Sequence, residues 1–525
     1  MATATADTYS AASGQSVLAG RGLSALSGAT PLDGIVPTGS FGPGVPSILT
    51  GSVVLDDIVA SGSISIFNPL DNVLNIISAA PAESWVQLNS NQMSTVYPPT
   101  DYRPLFTSSV SEPARIQGAW PSFAWDHVGH RIIMYGGGHA NCSSNEVYTW
   151  SAATQLWSLA FYPSEQVIVA AAAGRARSVD FNGTPDSSHT YGNNQFLPTL
   201  NRFMTLGGAA YNSGDPLGFW DSAAPSATSP LRTAGAYLLD MAQANTGKVA
   251  GATGSNPHRN TTIGVDLAGA NAWAIQDWFS LPTTNRPRFG GVDHVDHINC
   301  GAVVTQENGH DVAYFSVVSG SRHVWRCEFV DSNFANNIFT YVAAPGPDNT
   351  AFGQGPLAFD PTARVIVKIL GTGGGGGNAA NASAAIQFVD LKRTLGSTNA
   401  WRAATIAGAA LTEFLTVNLY SGSITFNPVK GCFVIWSMGA QVWEIYAPAG
   451  NPTPDTGWSL VKPTMATGVG APRSNFIFGT GTLDDETGLI GKWRWANDLR
   501  CGVTTFGNRT GEVWAYKPTG WIDPR

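Results

Sequence analysis

Ser122-Phe-Ala-Trp-Asp126, His127-Val-Gly-His130 and Arg131-Ile-Ile-Met-Tyr135 read as strand, tight turn and second strand, the last running into three glycines. Glu146-Val-Tyr-Thr-Trp150 supplies a third strand and Leu156-Trp-Ser-Leu159 a fourth. The unit returns along the chain, and such a repeat constrains the fold more than any single motif. One copy cannot bury its own apolar faces and must pack them on the next.

The clearest further copy is Ser423-Ile-Thr-Phe-Asn427, turn Pro428-Val-Lys-Gly431, Cys432-Phe-Val-Ile-Trp436, Gln441-Val-Trp-Glu-Ile-Tyr446 and Gly457-Trp-Ser-Leu460. Another runs Pro356-Leu-Ala-Phe-Asp360, Pro361-Thr-Ala-Arg364, Val365-Ile-Val-Lys-Ile369, Ala385-Ile-Gln-Phe-Val-Asp390 and Ala400-Trp-Arg402. Looser copies begin at Asn194 and Gly301, and a last one at Lys492. Four-stranded units repeated radially make a β-propeller. The expected fold is therefore all-β: a six-bladed propeller over residues 81–525, with blades near 118–160, 190–245, 298–343, 354–403, 420–461 and 490–521. A ring of this kind needs its first and last blades joined, or both keep unpaired edges. Ser84-Trp-Val-Gln-Leu88 has the look of a fourth strand for the last blade, and Gly520-Trp521-Ile522 competes for the same slot; the upstream strand is favoured.

Composition agrees. Charged residues make up 12% of the 525, where about 25% is usual, while glycine (59) and tryptophan (17) are abundant. Helices need charged solvent faces and dislike glycine, so short strands and turns suit this chain better. A net charge of −8 gives no reason to expect nucleic acid as partner. Residues 1–7 lack the basic start and apolar core of a secretory signal, and no apolar run reaches a membrane span, so neither export by that route nor membrane insertion is expected. Five scattered cysteines without a CxxC pair predict buried thiols.

The Gly-Gly after the second strand, the Tyr or Trp in the third and the Trp in the fourth resemble kelch propellers of the galactose-oxidase type. More narrowly, "FAWDHVGHRIIMYGGGHANCSSNEVYTW", "SHTYGNNQFLPTLNRFMTLGGAAYN" and "GEVWAYKPTGW" are similar to a group of kelch-like proteins of bacteriophages and prophages, over about residues 82–525. That resemblance implies a virion protein and no particular chemistry.

Residues 1–80 differ from the rest: one Arg, no Lys, no Trp, and much Ser, Gly, Ala and Thr. Residues 52–66 alternate enough to read as two or more short strands. So little bulky apolar surface predicts a segment that becomes ordered on another chain or on its own copies. It is expected to attach the propeller to other virion proteins and to form a homo-oligomer.

A propeller places its second-to-third-strand loops and its inter-blade loops on one face. On that face the sequence puts His139, Asn141 and Asn145, then His189 and Tyr191, then Arg288, His294 and His297, which form the expected binding set. Asp293, His294, Asp296 and His297 could together hold zinc or manganese, although ligands so close in a loop fix no geometry. For the glycine-rich stretch around His139, structural turns are the better reading than catalysis. No catalytic residue and no cofactor is assigned, because the copper ligand set of galactose oxidase, the sialidase repeat box, Gly-x-Ser-x-Gly, a phosphate loop and HExxH are all lacking. The expected function is a bacteriophage virion surface protein (fibre, spike or decoration), assembled in the host cytoplasm, whose propeller binds a host-surface glycan. The other reading is a propeller enzyme acting on carbohydrate, as hydrolase, lyase or oxidase.

Overall fold

A computed structural model of the chain is a six-bladed β-propeller. It describes residues 68–99, 113–163, 185–210, 236–244, 272–293, 301–316, 323–346, 356–369, 386–417, 419, 422–474 and 486–525, less 119, 139–141, 143, 186, 277, 279–280, 290–291 and 487. It also describes the backbone of three hairpins: Tyr9–Ala12 with Gln15–Leu18, Ile48–Leu55 with Ile58–Ser65, and Gln166–Val169 with Arg175–Ser178.

Each blade is a meander counted outward from the axis. Blade 1 holds Ser122–Asp126, Arg131–Tyr135, Val147–Ser151 and Leu156–Phe161. Blade 2 holds Asn194–Leu197, Arg202–Thr205, Tyr237–Asp240 and Trp273–Ile275. Ala302–Glu307, His310–Ser316, Val324–Phe329 and Ile338–Ala344 make blade 3. Leu357–Asp360, Val365–Ile369, Ile386–Asp390 and Arg402–Ala403 make blade 4. Blade 5 is Ser423–Asn427, Cys432–Trp436, Val442–Tyr446 and Trp458–Val461. Blade 6 is Trp493–Ala496, Cys501–Phe506 and Glu512–Lys517, with Ser84–Gln87 outermost. The innermost strands touch in the order 1, 2, 3, 4, 5, 6 and back to 1, which closes the ring.

Two edges differ from the sequence reading. The fourth strand of blade 2 lies at Trp273–Ile275, past the expected limit of 245, because a long insertion follows its third strand. Gly396–Ala400, between the third and fourth strands of blade 4, runs parallel to the outer strand of blade 3, and Ile406–Ala407, just after blade 4, does the same on blade 5, so both cover edges that would otherwise be open.

An apolar core fills the gap between each pair of neighbouring blades. Tyr135, Phe203 and Trp273 lie between blades 1 and 2, Phe388 and Trp458 between 4 and 5, and Trp436, Trp493 and Trp85 between 5 and 6. Ser84–Gln87 pairs antiparallel with Glu512–Lys517, Trp85 opposite Tyr516, so the strand that closes the ring enters from upstream. Trp521 instead ends a turn, donating Nε1 to the Leu499 carbonyl at 2.8 Å.

The helix Asp71–Ala79 falls inside the front segment as the sequence divided it. It is packed on the propeller, with Leu70, Val73, Leu74 and Ile77 buried in the core between blades 6 and 1. The spacing 70, 73, 74, 77 is that of one helical face. Of the cysteines, Cys142, Cys327, Cys432 and Cys501 are buried free thiols, and Cys300 lies outside the described residues. Among the described residues no helix is long and apolar enough to cross a membrane.

The turn from first to second strand repeats one device. Asp126 Oδ1 accepts the N–H groups of Val128 and Gly129, both at 2.8 Å; Asp360 does this for Thr362 and Ala363, and Asn427 for Val429 and Lys430. An Asp or Asn side chain that closes a turn on its own backbone makes the turn compact. The last turn residue is left-handed in all six blades: His130, Asn201, Gly309, Arg364, Gly431 and Arg500. Blade 2 has Leu197 where the carboxylate would stand, and Asp311 of blade 3 supplies the acceptor instead, to Thr199 N at 3.1 Å and Leu200 N at 3.0 Å.

Candidate functional site

The loop face gathers the first of the expected groups, but inside the fold. Residues 185–193, which lead into blade 2, lie between the glycine loop of blade 1 and the corresponding loop of blade 2. A Cβ on Gly138 would stand 2.3 Å from the Ser187 carbonyl, and one on Gly208, at φ +122°, only 2.0 Å from that of His189. Glycine is required there because backbone touches backbone. Asn145 is fully buried and donates Nδ2 to the Pro185 carbonyl at 2.8 Å, which fixes the same segment. His189 is 1% exposed and lies 4.8 Å, between ring centroids, from Trp120; Tyr191 meets its edge at 6.0 Å. Asn145, His189 and Tyr191, expected as binding groups, are buried at this loop junction, where Asn145 holds Pro185 and the His189 ring lies between Trp120 and Tyr191.

Arg288 and Asp293 are backbone partners in a two-strand hairpin, and Arg288 is half-buried. His139, Asn141, His294, Asp296 and His297 lie outside the described residues, as does the side chain of Asp293. Among the described residues no group of three or more His, Cys, Asp or Glu could hold a metal ion.

What the sequence reading missed is on the axis. A cavity of about 410 Å³ is lined by the innermost strands of all six blades. Its mouth lies among the first-to-second-strand turns, on the face opposite the loops just described, with His127, Pro198, Pro361, Pro428 and Asn497 at the rim. The last or next-to-last residue of five inner strands forms an aromatic collar: Trp125, Phe196, Phe359, Phe426 and Trp495. Blade 3 places Thr305 and Gln306 there. Each of these aromatics was visible as part of a strand; their meeting depends on six strands converging on one axis.

The far end of the cavity is crossed by backbone. Gly192 forms a parallel bridge with Gly301 and accepts the Ala302 N–H at 3.2 Å, both of blade 3. The Gly192 carbonyl also accepts from Arg494 Nη2 of blade 6 at 3.4 Å. In a ring of six, blades 3 and 6 are diametrically opposed; Gly192 is bonded to blade 3, and a Cβ on Gly491, at the entry to blade 6, would stand 3.1 Å from Gly192 Cα, so this backbone crosses between opposite blades. The cavity is thus a well with a floor, and the floor carries Arg494 and Gln195. Gln195 Nε2 bonds the carbonyls of Gly192 and Ala302 at 3.1 and 2.6 Å.

Arg494 donates Nε to the Phe123 carbonyl at 3.2 Å and Nη2 to those of Gly192 and Asn194. Among the described residues no carboxylate lines the well. Burial lowers the Arg494 pKa to about 10, which leaves it charged at neutral pH. At the rim, burial first of all pushes the His127 pKa down, against the opposing pull of Asp498 and Asp126. Asp498 accepts from Trp125 Nε1 at 2.7 Å and contacts His130 Nδ1 at 2.5 Å, so a carboxylate outside the well holds one collar ring in place. The result is a preformed concavity with apolar ring surfaces near its mouth, one cation at its floor and polar groups between, the usual make-up of a small-ligand site.

Fold and site together define a six-bladed propeller with a blind axial well. No family model matches the chain, and no curated protein matches it. Among solved structures it is similar to the GH43B protein of a xyloglucan locus of Bacteroides ovatus, at 10% identity, over 78% of this chain and 72% of that one, with a TM-score of 0.28. It is also similar to Pseudomonas fluorescens PhoX in complex with vanadate (11% identity, 85% and 98% coverage, TM-score 0.33) and to a PL25 ulvan lyase bound to a GlcA–Rha3S saccharide (10%, 83% and 84%, 0.27). At these scores the likeness carries nothing about chemistry.

Proposed function

We propose that the chain is a kelch-type propeller of bacteriophage origin, displayed on the virion surface, and that its axial well binds a glycan of the host envelope. The virion placement comes from the resemblance of the repeat to phage propellers, with residues 1–80 attaching it to other virion proteins. The ligand class comes from the well, and one observation carries it: a collar of five aromatic side chains, with Thr305 and Gln306 completing the ring, above Gln195 and Arg494. Sugar rings present apolar faces that lie on aromatic surfaces and hydroxyls that pair with such polar groups.

Binding fits this well better than hydrolysis. Glycoside hydrolysis ordinarily uses two carboxylates about 5–9 Å apart across the scissile bond. None of the described residues lining the well is Asp or Glu.

The test is calorimetric titration of the full chain with envelope glycans of candidate hosts, repeated on Trp495→Ala and Phe426→Ala. Both side chains line the mouth and are only half-buried, so the fold tolerates their loss. Each change is expected to weaken binding about tenfold, as for an anchoring aromatic. Binding unchanged in both variants, or glycan turnover by the wild type, refutes the reading. Antibody labelling of intact particles checks the virion placement.

A further inference from the structure

We infer that the well selects glycans ending in a carboxylate-bearing sugar, inserted end-on with the carboxylate against Arg494. This rests on the glycan reading above and adds which ligand and which orientation. Three features of the floor support it.

First, the well is blind. Because the backbone at Gly192 crosses between opposite blades, a chain cannot thread through, and only a terminus can reach the floor. Second, the floor cation has no counter-charge among the described residues. Three of the five N–H groups of Arg494 go to backbone carbonyls, and Nη1 has no acceptor among the described residues. A guanidinium held by neutral carbonyls, in a cavity with no carboxylate among its described lining residues, keeps its full charge to offer to a ligand. Burial acts in the opposite sense and makes the empty site costly, so an arriving anion relieves a penalty that a neutral hydroxyl cannot. Third, the remaining donors are few. The two N–H groups of Nη1 diverge from one nitrogen, so one of them bonds one oxygen of an arriving anion, which leaves a single oxygen of a carboxylate to find another partner but two of a sulfate ester. Gln195 has both amide N–H groups engaged, which leaves its Oε1 to accept from a sugar hydroxyl beside the carboxylate.

The lock on Arg494 also fixes where the anion goes. Its acceptors belong to blades 1 and 2 while its own strand belongs to blade 6, so the side chain reaches along the floor under three blades.

The experiment presents the full-length protein with an array of neutral, uronate-ended, sialylated and sulfate-ended oligosaccharides. Hits are titrated against their own methyl esters, which keep the shape and lose the charge. Carboxylate-ended hits are expected to bind about tenfold or more tighter than their esters, the size of a charge-assisted hydrogen bond. Arg494→Lys is expected to retain part of that preference, and Arg494→Gln to abolish it. Should Arg494→Gln fail to fold, the acid-to-ester ratio of the wild type and its reduction in Arg494→Lys decide the matter. Collar-dependent binding in which acid and ester are equal overturns this inference and leaves the glycan reading standing. Hits confined to sulfated ends overturn the choice of carboxylate, and the absence of any hit overturns both.

Discussion

Replacing Trp85 by alanine tests how the ring is held shut. Trp85 is 2% exposed, and its ring centroid lies 4.8 Å from that of Trp436, 5.3 Å from Trp493 and 5.5 Å from Tyr516. Its Nε1 donates to the Ala440 carbonyl at 2.8 Å. Truncating a buried Trp to Ala costs about 3–5 kcal/mol. Aromatic pairing adds roughly 0.5–1.5 kcal/mol beyond burial, and the carbonyl left behind about 1 kcal/mol. The loss should therefore approach about 5 kcal/mol, a large part of the stability of any native protein. It falls on a strand that belongs to blade 6 in space but enters from the far end of the sequence. Denaturant titration followed by tryptophan fluorescence should show a much lower midpoint for Trp85→Ala. Hydrogen exchange should show lost protection first in Glu512–Lys517, the strand it pairs with. Leu156→Ala, at a residue 43% exposed, serves as control and should change stability by no more than about 0.5 kcal/mol. A Trp85→Ala protein within about 1 kcal/mol of wild type would refute ring closure by this strand as a source of stability.

Glu83, next to the closing strand, predicts an acid-sensitive latch. Burial raises its pKa, but hydrogen bonds from Thr519 and Tyr516 and the charge of Lys430 outweigh that and hold it below its ordinary value of 4.5. A depressed carboxylate stabilises the fold above its unfolded pKa, and that stability is lost as pH falls through the folded value. Wild type should thus lose more stability than Glu83→Gln when the pH drops from about 5 towards 3, as read by thermal unfolding at each pH. Asp311→Ala should destabilise the protein by about 1–3 kcal/mol, since it leaves the Thr199 and Leu200 N–H groups without their acceptor. Asp311→Asn keeps an acceptor oxygen and should recover most of the loss in the same denaturant titration.

The repeat was legible because strand periodicity and turn chemistry are local. Asp126, Asp360 and Asn427 each end an inner strand and close their own turn, so three blades announce themselves within a dozen residues. Blade 2 announces itself less clearly because its turn borrows Asp311 from blade 3, an arrangement no local reading can see. Its fourth strand fell outside the expected bounds for a related reason: a long insertion separates Trp273–Ile275 from the strand it pairs with. The helix at Asp71–Ala79 did carry a local signal, the spacing of Leu70, Val73, Leu74 and Ile77, hidden in a segment whose composition suggested only strands.

The site followed the opposite logic. His189 and Asn145 stood out as polar residues among glycines, yet those glycines exist so that backbones can touch, and the closeness that requires them also buries the polar side chains. Arg494 sat unnoticed between two tryptophans in a strand. By itself the sequence determined the number of blades, their order and their turns, because each depends on contacts a few residues apart. Only the tertiary structure decided that five of six strand ends bring aromatics to one collar, that Gly192 crosses between opposite blades and that one arginine lies beneath with no counter-ion among the described residues. Those facts depend on residues of opposite blades, some three hundred positions apart along the chain, whose proximity is a property of the closed ring.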